Sequence, residues 1–285
     1  MIGAPMDDPE LTRGGYSVFH ETVADLTFPE VEALAREGAV ALWGLGVIEE
    51  HGPHLPLGTD VYLPYATLKL TRRLLEARSI KALVLPPFYW GINNVTGSFA
   101  GSITVRPDTM TNLMLDVFQS LRKDGIECVF CVSGQGDALH NQTMAQAIAR
   151  GRVESGIRAY FVVSSAWAER LGFDAEAPHI LVYPLKPPPT THADVHAGSG
   201  ETSMMWAHYP RLVRTDLLPK LEPTRFTAED LAEWRKGWAN ARRKTPHGYL
   251  GDPAAADPDR GRTIVETHAR LVADTIAAKL ASGSP

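Results

Sequence analysis

Residues 39–75 contain the feature that most constrains the fold: a short apolar run, a polar loop and an amphipathic pattern in direct succession. The apolar run at residues 39–42 has the length and composition of a buried strand. Glycine, proline and charged residues then take over, which predicts a loop. Residues 61–75 are amphipathic at helical spacing, with Thr59 or Asp60 as the predicted N-cap. Open α/β sheets place their chemistry where a strand end and a helix start meet in this way.

The same unit recurs along the chain. An apolar run that contains Cys128 and Cys131 is followed by a glycine-rich turn and by a helical pattern at residues 143–150. Further short apolar runs predict buried strands at residues 80–86 and 160–165. This alternation indicates a layered α/β/α fold with a mostly parallel central sheet and helices on both faces.

Nothing in the composition divides the chain, so we expect a single domain over residues 1–285. Residues 1–25 read as an irregular lead-in. The proline-rich stretch at residues 173–193 predicts an ordered loop or lid. Residues 210–285 are expected to form a C-terminal helical part that packs on the rest of the domain.

The loop after the first strand carries acids and imidazoles that could bind a metal ion. Glu49 and His51 are two residues apart, so in extended backbone their side chains point to the same side. Together with Asp60 they supply the nitrogen and oxygen atoms that zinc, manganese and iron accept. A solvated acidic loop with a capping aspartate explains the same residues, and spacing alone leaves both interpretations open.

Residues 49–60 read Glu-Glu-His-Gly-Pro-His-Leu-Pro-Leu-Gly-Thr-Asp. This stretch resembles the signature of the creatininase family, Glu-Gln-His-Gly-Pro-His-Leu-Pro-Leu-Gly-Thr-Asp, and differs only at Glu50. Three later segments resemble the family in the same order, at residues 88–105, 133–141 and 196–203. The resemblance implies a creatininase-like fold and a metal-dependent hydrolase.

The resemblance also assigns roles to individual residues. The implied metal ligands are Glu49, His51, Asp60 and Glu201. The ion would be zinc or manganese, with iron as an alternative. His196 and Glu201 are the implied catalytic residues, with His196 carrying a proton because an imidazole titrates in the working range.

One segment departs from the family pattern. Residues 133–141 resemble the element Asn-Gly-His-x-x-Asn, but Gln135 stands at the histidine position, and Asp137 occupies the acidic position two residues later. Both are candidate metal ligands. An amide oxygen is a weaker ligand for zinc-like ions than imidazole, so we expect one tightly bound metal and a second that is weak or absent. His140 is a candidate substrate contact and could also replace the missing histidine.

Residues 88–105 resemble the family's tyrosine–glycine loop, which lies beside the metals and shapes the substrate pocket. Its predicted substrate-binding residues are Trp90, Asn93 and Asn94, and the segment is expected to run into a short strand. The two asparagines could equally belong to a tight turn, where asparagine tolerates left-handed backbone.

These features predict hydrolysis of a C–N bond in a small cyclic amide or related polar molecule by a metal-activated water. One alternative is metal-dependent ring opening of an oxidised cyclic polyol or a lactone. Another is a catalytically weak metal- or ligand-binding protein, because Gln135 replaces the usual histidine. A Rossmann-type nucleotide binder is disfavoured, since the glycines at residues 44 and 46 lack the third glycine of that motif.

Charge and composition exclude several classes of partner. The formal net charge of −5 provides no basic surface for nucleic acid or an anionic membrane, and no apolar run is long enough to cross a bilayer. Residues 1–9 lack the features of a signal peptide, and Cys128 and Cys131 are predicted to be buried thiols. We therefore expect a cytoplasmic protein with a small-molecule substrate. The resemblance implies a homo-oligomer, hexameric as in creatininase relatives.

Overall fold

Five parallel strands form the central sheet in the structure, a computed structural model that describes residues 17–186 and 191–283. The strands of the described part are β1 Val40–Leu45, β2 Ala82–Val84, β3 Cys128–Ser133, β4 Arg158–Ser164 and β5 Ile180–Tyr183. Their order across the sheet is β2-β1-β3-β4-β5. Because every neighbouring pair is parallel, the carboxyl ends of all five strands share one edge.

Nine α-helices accompany these strands in the described ranges. They are α1 Phe28–Arg36, α2 Thr59–Glu76, α3 Pro107–Lys123, α4 Ala138–Glu154, α5 Ser165–Leu171, α6 Ser199–His208, α7 Ala228–Trp234, α8 Trp238–Lys244 and α9 Pro258–Ala281. Within the part of the chain that is described, none of the helices has the length and apolar character needed to span a membrane.

Alternation of side chains along the strands builds a core on each face of the sheet. Ala41 and Trp43 of β1 pack in a cluster with Phe118 and with other apolar residues of α3 and α4. Val40 and Leu42 point to the opposite face and pack against α2 and α9. Burial of apolar surface stabilises each layer by roughly 25 cal/mol per Å². The two cores confirm the predicted α/β/α layers and the parallel sheet.

The two cysteines lie inside β3 and are buried and unpaired. Burial raises the pKa of the Cys128 thiol to about 11, so this thiol stays protonated and unreactive near neutral pH. The interpretation of Cys128 and Cys131 as structural thiols is confirmed.

Helix α2 begins earlier than expected. Its N-cap is Gly58, and Thr59 and Asp60 already belong to the first helical turn. The prediction that Thr59 or Asp60 caps this helix was wrong, because the turn after Pro56 positions the chain and no side chain caps the helix. The Asp60 carboxylate is therefore not used in capping.

Two other segments differ from expectation. Residues 89–105 form no strand, and the only pairing near them is an isolated bridge between Leu45 and Phe88. The predicted loop at residues 173–193 contains β5, which completes the sheet beside β4. Residues 187–190 of that stretch, and residues 1–16 of the predicted lead-in, lie outside the described residues. The single-domain boundaries stay a prediction.

Close backbone contacts bring the start of α2 over two strand ends. Gly46 follows β1 and Gly134 follows β3, and Gly134 donates its N–H to the Leu45 carbonyl at 2.7 Å. A Cβ on either glycine would overlap the Asp60 carbonyl oxygen. Glycine at both positions lets Asp60 sit above the carboxyl edge of the sheet, where parallel α/β folds bind ligands.

Candidate metal centre

His51 is the fully buried centre of an acid-rich cluster. Its Nδ1 donates a hydrogen bond to the Glu49 carbonyl at 3.1 Å, which fixes the tautomer and leaves the Nε2 lone pair free. Nε2 lies 3.3 Å from Asp60 Oδ1 and 3.8 Å from Glu201 Oε2. Burial acts to lower the pKa of His51, but Asp60 and the other nearby carboxylates raise it, and a divalent cation would take the place of the proton on Nε2.

The buried atoms fit a metal ion in a second respect. His51 Nε2 and Asp60 Oδ2 are buried without a hydrogen-bond partner in the described structure, a state that normally costs free energy. Two groups of residues each offer candidate ligand atoms that lie within 4.8 Å of one another. One group is Glu49, His51 and His196, and the other is His51, Asp60 and Glu201. His51 belongs to both groups, so the donor set matches the nitrogen and oxygen ligands that zinc and manganese accept.

Glu49 is held as a carboxylate by neutral donors and by nearby imidazoles. Gln135 Nε2 donates to Glu49 Oε2 at 2.7 Å, and the Thr96 hydroxyl donates to Oε1. Burial acts to raise the pKa of Glu49, but the His196 and His51 charges and the hydrogen bonds outweigh it and lower that pKa. Glu49 therefore presents negative charge inside the cluster.

Asp60 responds in the opposite direction. Burial raises the pKa of Asp60 to about 8, even though the His51 charge acts to lower it. Desolvation is the main physical cause, and repulsion by the nearby charges of Glu49 and Glu201 adds to it. A bound divalent cation would offset this repulsion.

His196 is anchored by the residue at which the signature departs from the family. Its Nε2 donates to the Glu50 carbonyl at 2.8 Å and lies 3.2 Å from Glu50 Oε1. Its ring centroid is 4.4 Å from that of His51 and 5.6 Å from that of Trp234. Burial and His51 act to lower the pKa of His196, but Glu49 and Glu50 raise it to about 9. With Nε2 occupied, Nδ1 is the nitrogen available for proton transfer.

Glu201 lies in the first turn of α6 on the more open side of the cluster, with 26% of its side chain exposed. Its Oε2 accepts a hydrogen bond from the Ala197 N–H at 2.6 Å. This carboxylate thus serves the helix start and also approaches His51, and the two roles are compatible because a carboxylate has several acceptor positions.

Gln135 and Asp137 lie beside the cluster but are engaged differently. The Gln135 amide oxygen accepts from the Asp137 N–H at 3.1 Å, which turns its NH₂ group toward Glu49. Asp137 caps α4: Oδ1 accepts from Leu139 N–H at 2.8 Å, and Oδ2 accepts from Asn94 N–H at 2.8 Å. Asp137 belongs to neither group of candidate ligand atoms. Metal ligation by these two residues stays a prediction.

Of the predicted substrate contacts, Asn93 serves the structure of its own loop. Its side chain is buried, donates to the Thr96 hydroxyl at 2.8 Å and accepts from the Thr96 N–H at 2.9 Å. It therefore orients the hydroxyl that donates to Glu49. Asn94 is exposed on the same loop, and Trp90 is 44% exposed against Tyr89. Their contact with a substrate stays a prediction.

His140 is buried one turn into α4. Its Nδ1 accepts a hydrogen bond from the Ile92 N–H at 3.1 Å, so the neutral ring carries its proton on Nε2. Burial lowers the pKa of His140 to about 3. Its Nε2 is buried without a hydrogen-bond partner in the described residues, but His140 belongs to neither group of candidate ligand atoms, and its role as the replacement ligand stays a prediction.

Sequence reasoning missed two contacts of the cluster. Thr96 lies 47 residues from Glu49, inside a loop without periodicity, and no local signal marks its hydroxyl. Trp234 packs its ring near His196 from the C-terminal part of the chain. Both contacts arise from tertiary structure. The N-cap role of Asp137 had a local signal, an aspartate directly before a helical pattern.

Comparison with known proteins identifies the relatives of this chain. The family model described as "Creatininase: Creatinine amidohydrolase" matches residues 24–276. The creatinine amidohydrolase of Pseudomonas putida is 27% identical over 265 residues, which cover 89% of this chain and 95% of that protein. The mycofactocin precursor peptide peptidase of Mycobacterium ulcerans is 28% identical over 237 residues, covering 82% and 81%.

Solved creatininase structures share the fold. A structure titled as the Mn form of creatininase superposes with a TM-score of 0.68 at 23% identity, covering 91% of this chain and 98% of that one. A mutant creatininase of the Zn–Zn type also has a TM-score of 0.68, at 24% identity, covering 93% and 99%.

Proposed function

The chain belongs to the creatininase family, and on that premise we propose that it hydrolyses the C–N bond of an amide or cyclic amide in a small polar molecule. Family members act on amide bonds with a metal ion, and this chain is a metal-dependent hydrolase of that kind. The observation that carries the finer proposal is the cluster around His51, in which two buried atoms, His51 Nε2 and Asp60 Oδ2, have no hydrogen-bond partner in the described part.

Glu49, His51, Asp60 and Glu201 are the residues that would hold the ion. When bound, a divalent ion supplies Lewis-acid chemistry, acidifying water and polarising a carbonyl group. The hydrogen bonds from Gln135 and Thr96 keep Glu49 oriented toward the cluster. Asp60, above both strand ends, is the candidate bridging carboxylate if a second ion binds.

His196 is the proposed proton carrier. Because Glu50 holds Nε2 and the pKa of His196 is raised to about 9, Nδ1 carries a proton near neutral pH and is the atom that delivers it to the leaving nitrogen. Proton transfer through Nδ1 requires that the His196 ring keep one orientation. The contacts of the ring with Glu50, His51 and Trp234 hold it in that orientation.

The bond class includes peptides as well as cyclic amides, because one relative is named a peptidase and another an amidohydrolase. None of the relatives described above is named for opening a lactone or a polyol ring, and nothing in the cluster favours a purely binding role. Neither alternative is carried forward. The hexamer and the cytoplasmic location stay predictions.

Metal content tests the proposal. Glu49→Gln and Asp60→Asn should each lower zinc or manganese per subunit after dialysis, measured by elemental analysis, and abolish turnover on a panel of lactams, hydantoins and dipeptides. Asp116→Asn is the matched control, since Asp116 is exposed on α3. Unchanged occupancy in both cluster variants would refute the ligand assignment, and metal-loaded wild type without turnover on the whole panel would refute the reaction.

A further inference from the structure

Two arginines lie on elements that adjoin the loop of Gln135 and the ring of Trp234. Arg170 is in α5, and its Nη2 donates to the Gly136 carbonyl at 3.0 Å. Arg235 directly follows α7 and is adjacent to Trp234, whose ring approaches His196. Both arginines reach solvent, although partial burial of each guanidinium group lowers its pKa. In the described residues, neither forms an ion pair with a carboxylate.

The two arginines belong to one rim, formed by residues 94–95, 135–137 and 235–238 together with Arg170, which is hydrogen-bonded to Gly136. Asn94 N–H donates to Asp137 Oδ2 at 2.8 Å, and Trp238 N–H donates to the Val95 carbonyl at 2.8 Å. Gly237 packs so closely on the Asn94 carbonyl that a Cβ there would overlap it. These contacts connect the loop of Gln135, which reaches Glu49, with the turn that carries Arg235.

Open space adjoins the rim at Gly136. Gly136 lies between the two candidate ligands Gln135 and Asp137, and a Cβ on it would meet no atom within 4 Å. Arg170 hydrogen-bonds to this same residue, so its guanidinium borders the opening. A group of the substrate that entered this opening would lie against Arg170.

The charges at the rim are unbalanced. Burial and then the neighbouring Arg235 charge lower the pKa of Arg170, while Asp137 acts in the opposite direction. The contacts of Gly237 with Asn94 and of Asn94 with Asp137 bring the turn of Arg235 to the loop on which Arg170 rests, so the two like charges share this part of the rim and repel each other. An anionic group bound between them would relieve this repulsion, and guanidinium is the side chain best shaped for bidentate binding of a carboxylate.

We propose that Arg170 and Arg235 bind a carboxylate of the substrate, so that the preferred substrate is an amide that also carries a carboxylate group. This inference rests on the proposed amide hydrolysis and deepens it. The carboxylate could belong to a cyclic amide or to the C-terminus of a short peptide. Trp167, whose ring centroid is 5.3 Å from the Arg170 guanidinium carbon, holds that side chain in place.

Paired substrates test the proposal. One pair is 5-oxoproline and its carboxamide, a second is hydantoin-5-acetic acid and its carboxamide, and a third is a dipeptide with a free or an amidated C-terminus. For the cleaved pair, kcat/KM should be on the order of 10- to 100-fold higher for the carboxylate than for the carboxamide, because a charge-assisted hydrogen bond stabilises a complex by that factor. Cleavage in the first two pairs would assign the carboxylate to a cyclic amide, and cleavage in the third pair would assign it to a peptide C-terminus.

Variants connect that preference to the rim. Arg170→Gln and Arg235→Gln should each raise KM for the carboxylate by about 10-fold or more, with KM for the carboxamide and kcat unchanged. Arg170→Lys should recover part of the loss, and Arg270→Gln, exposed on α9, should behave as wild type. Circular dichroism and metal content verify that each variant is folded and loaded.

Equal kcat/KM within a cleaved pair, or equal effects of the variants on both members, would overturn the inference and leave the proposed reaction standing. If no compound is cleaved, the proposed reaction fails, and binding decides the inference. Binding of the uncleaved compounds, measured by quenching of tryptophan fluorescence, should then be at least about 10-fold tighter for the carboxylates than for the carboxamides. This difference should be present in the wild type and absent in the Arg170 and Arg235 variants. Without that selectivity, the inference is overturned as well.

Discussion

Replacing Gly134 by alanine should displace Asp60 and loosen the metal centre. The new Cβ would overlap the Asp60 carbonyl oxygen, closer than the 3.0 Å that real Cβ contacts keep, and would lie 2.7 Å from Pro64 Cγ. The obstruction is the backbone of a buried helix start, which cannot turn aside as a flexible side chain could. Helix α2 must therefore move away from the end of β3.

The size of the effect follows from this contact. Overpacking of a tightly packed interior costs about 1–3 kcal/mol. Since a backbone carbonyl and a proline ring must both shift, we expect the upper end, about 3 kcal/mol. In a large domain each kcal/mol lowers Tm by roughly 2–4 °C, so Tm should fall by roughly 6–12 °C. Movement of Asp60 should also lower metal content.

Thermal unfolding with elemental analysis of the folded protein measures both effects. Gly136→Ala is the matched control two residues later in the same loop, because its Cβ would meet no atom within 4 Å. It should unfold within about 1–2 °C of wild type. Wild-type Tm and metal content in Gly134→Ala would refute the close approach of α2 to the end of β3, and with it the argument for how Asp60 is positioned.

Three further variants test the neighbouring residues. Gln135→His should raise the metal content after dialysis, because it supplies an imidazole where the structure has a neutral amide; two tight metals in wild type, lost in His140→Ala, would contradict this. His196→Ala should keep its metal and lose turnover on the order of 10²–10⁴-fold, whereas loss of metal would make His196 a ligand. His140 has a pKa of about 3 when folded, against 6.5 for a free imidazole, so between these values only the unfolded chain gains the proton and stability falls as pH falls. His140→Asn keeps an acceptor for the Ile92 N–H but removes the titrating group. It should reduce the slope of the unfolding free energy against pH, between about pH 6.5 and 3, by up to about 1.4 kcal/mol per pH unit. If urea titrations give the same slope for the variant and the wild type, His140 is not buried in its neutral form.

The layers of the fold were predictable because their signals are local. Strands β1, β3 and β4 are runs of six or seven residues that are buried almost throughout, and such runs stand out against the helices between them. Strand β5 was missed because it has only four residues in a stretch interrupted by proline. Only its pairing with β4 makes it a strand, and that pairing is a tertiary contact.

The candidate site was predictable to the extent that one stretch contains it. Glu49, His51 and Asp60 share the loop after β1 and the start of α2, so their proximity follows from chain connectivity. The partners that orient Glu49 come from elsewhere: Thr96 from one loop and Gln135 from another. Which of two asparagines turns inward, and which hydroxyl reaches Glu49, depends on packing that no spacing rule encodes.

The two departures from the family signature meet in one hydrogen-bonded cluster. Glu50 places a carboxylate beside His196 where the family has a neutral amide, and Gln135 places a neutral amide beside Glu49 where the family has an imidazole. The cluster also provides room for the first change, since a Cβ on Gly248 would overlap Glu50 Oε2. Because the charges of Glu49 and His196 act on each other, each change alters the electrostatics felt by the other. The two departures therefore change the charge next to His196, the proposed proton carrier, and next to Glu49, a candidate metal ligand, within a single site.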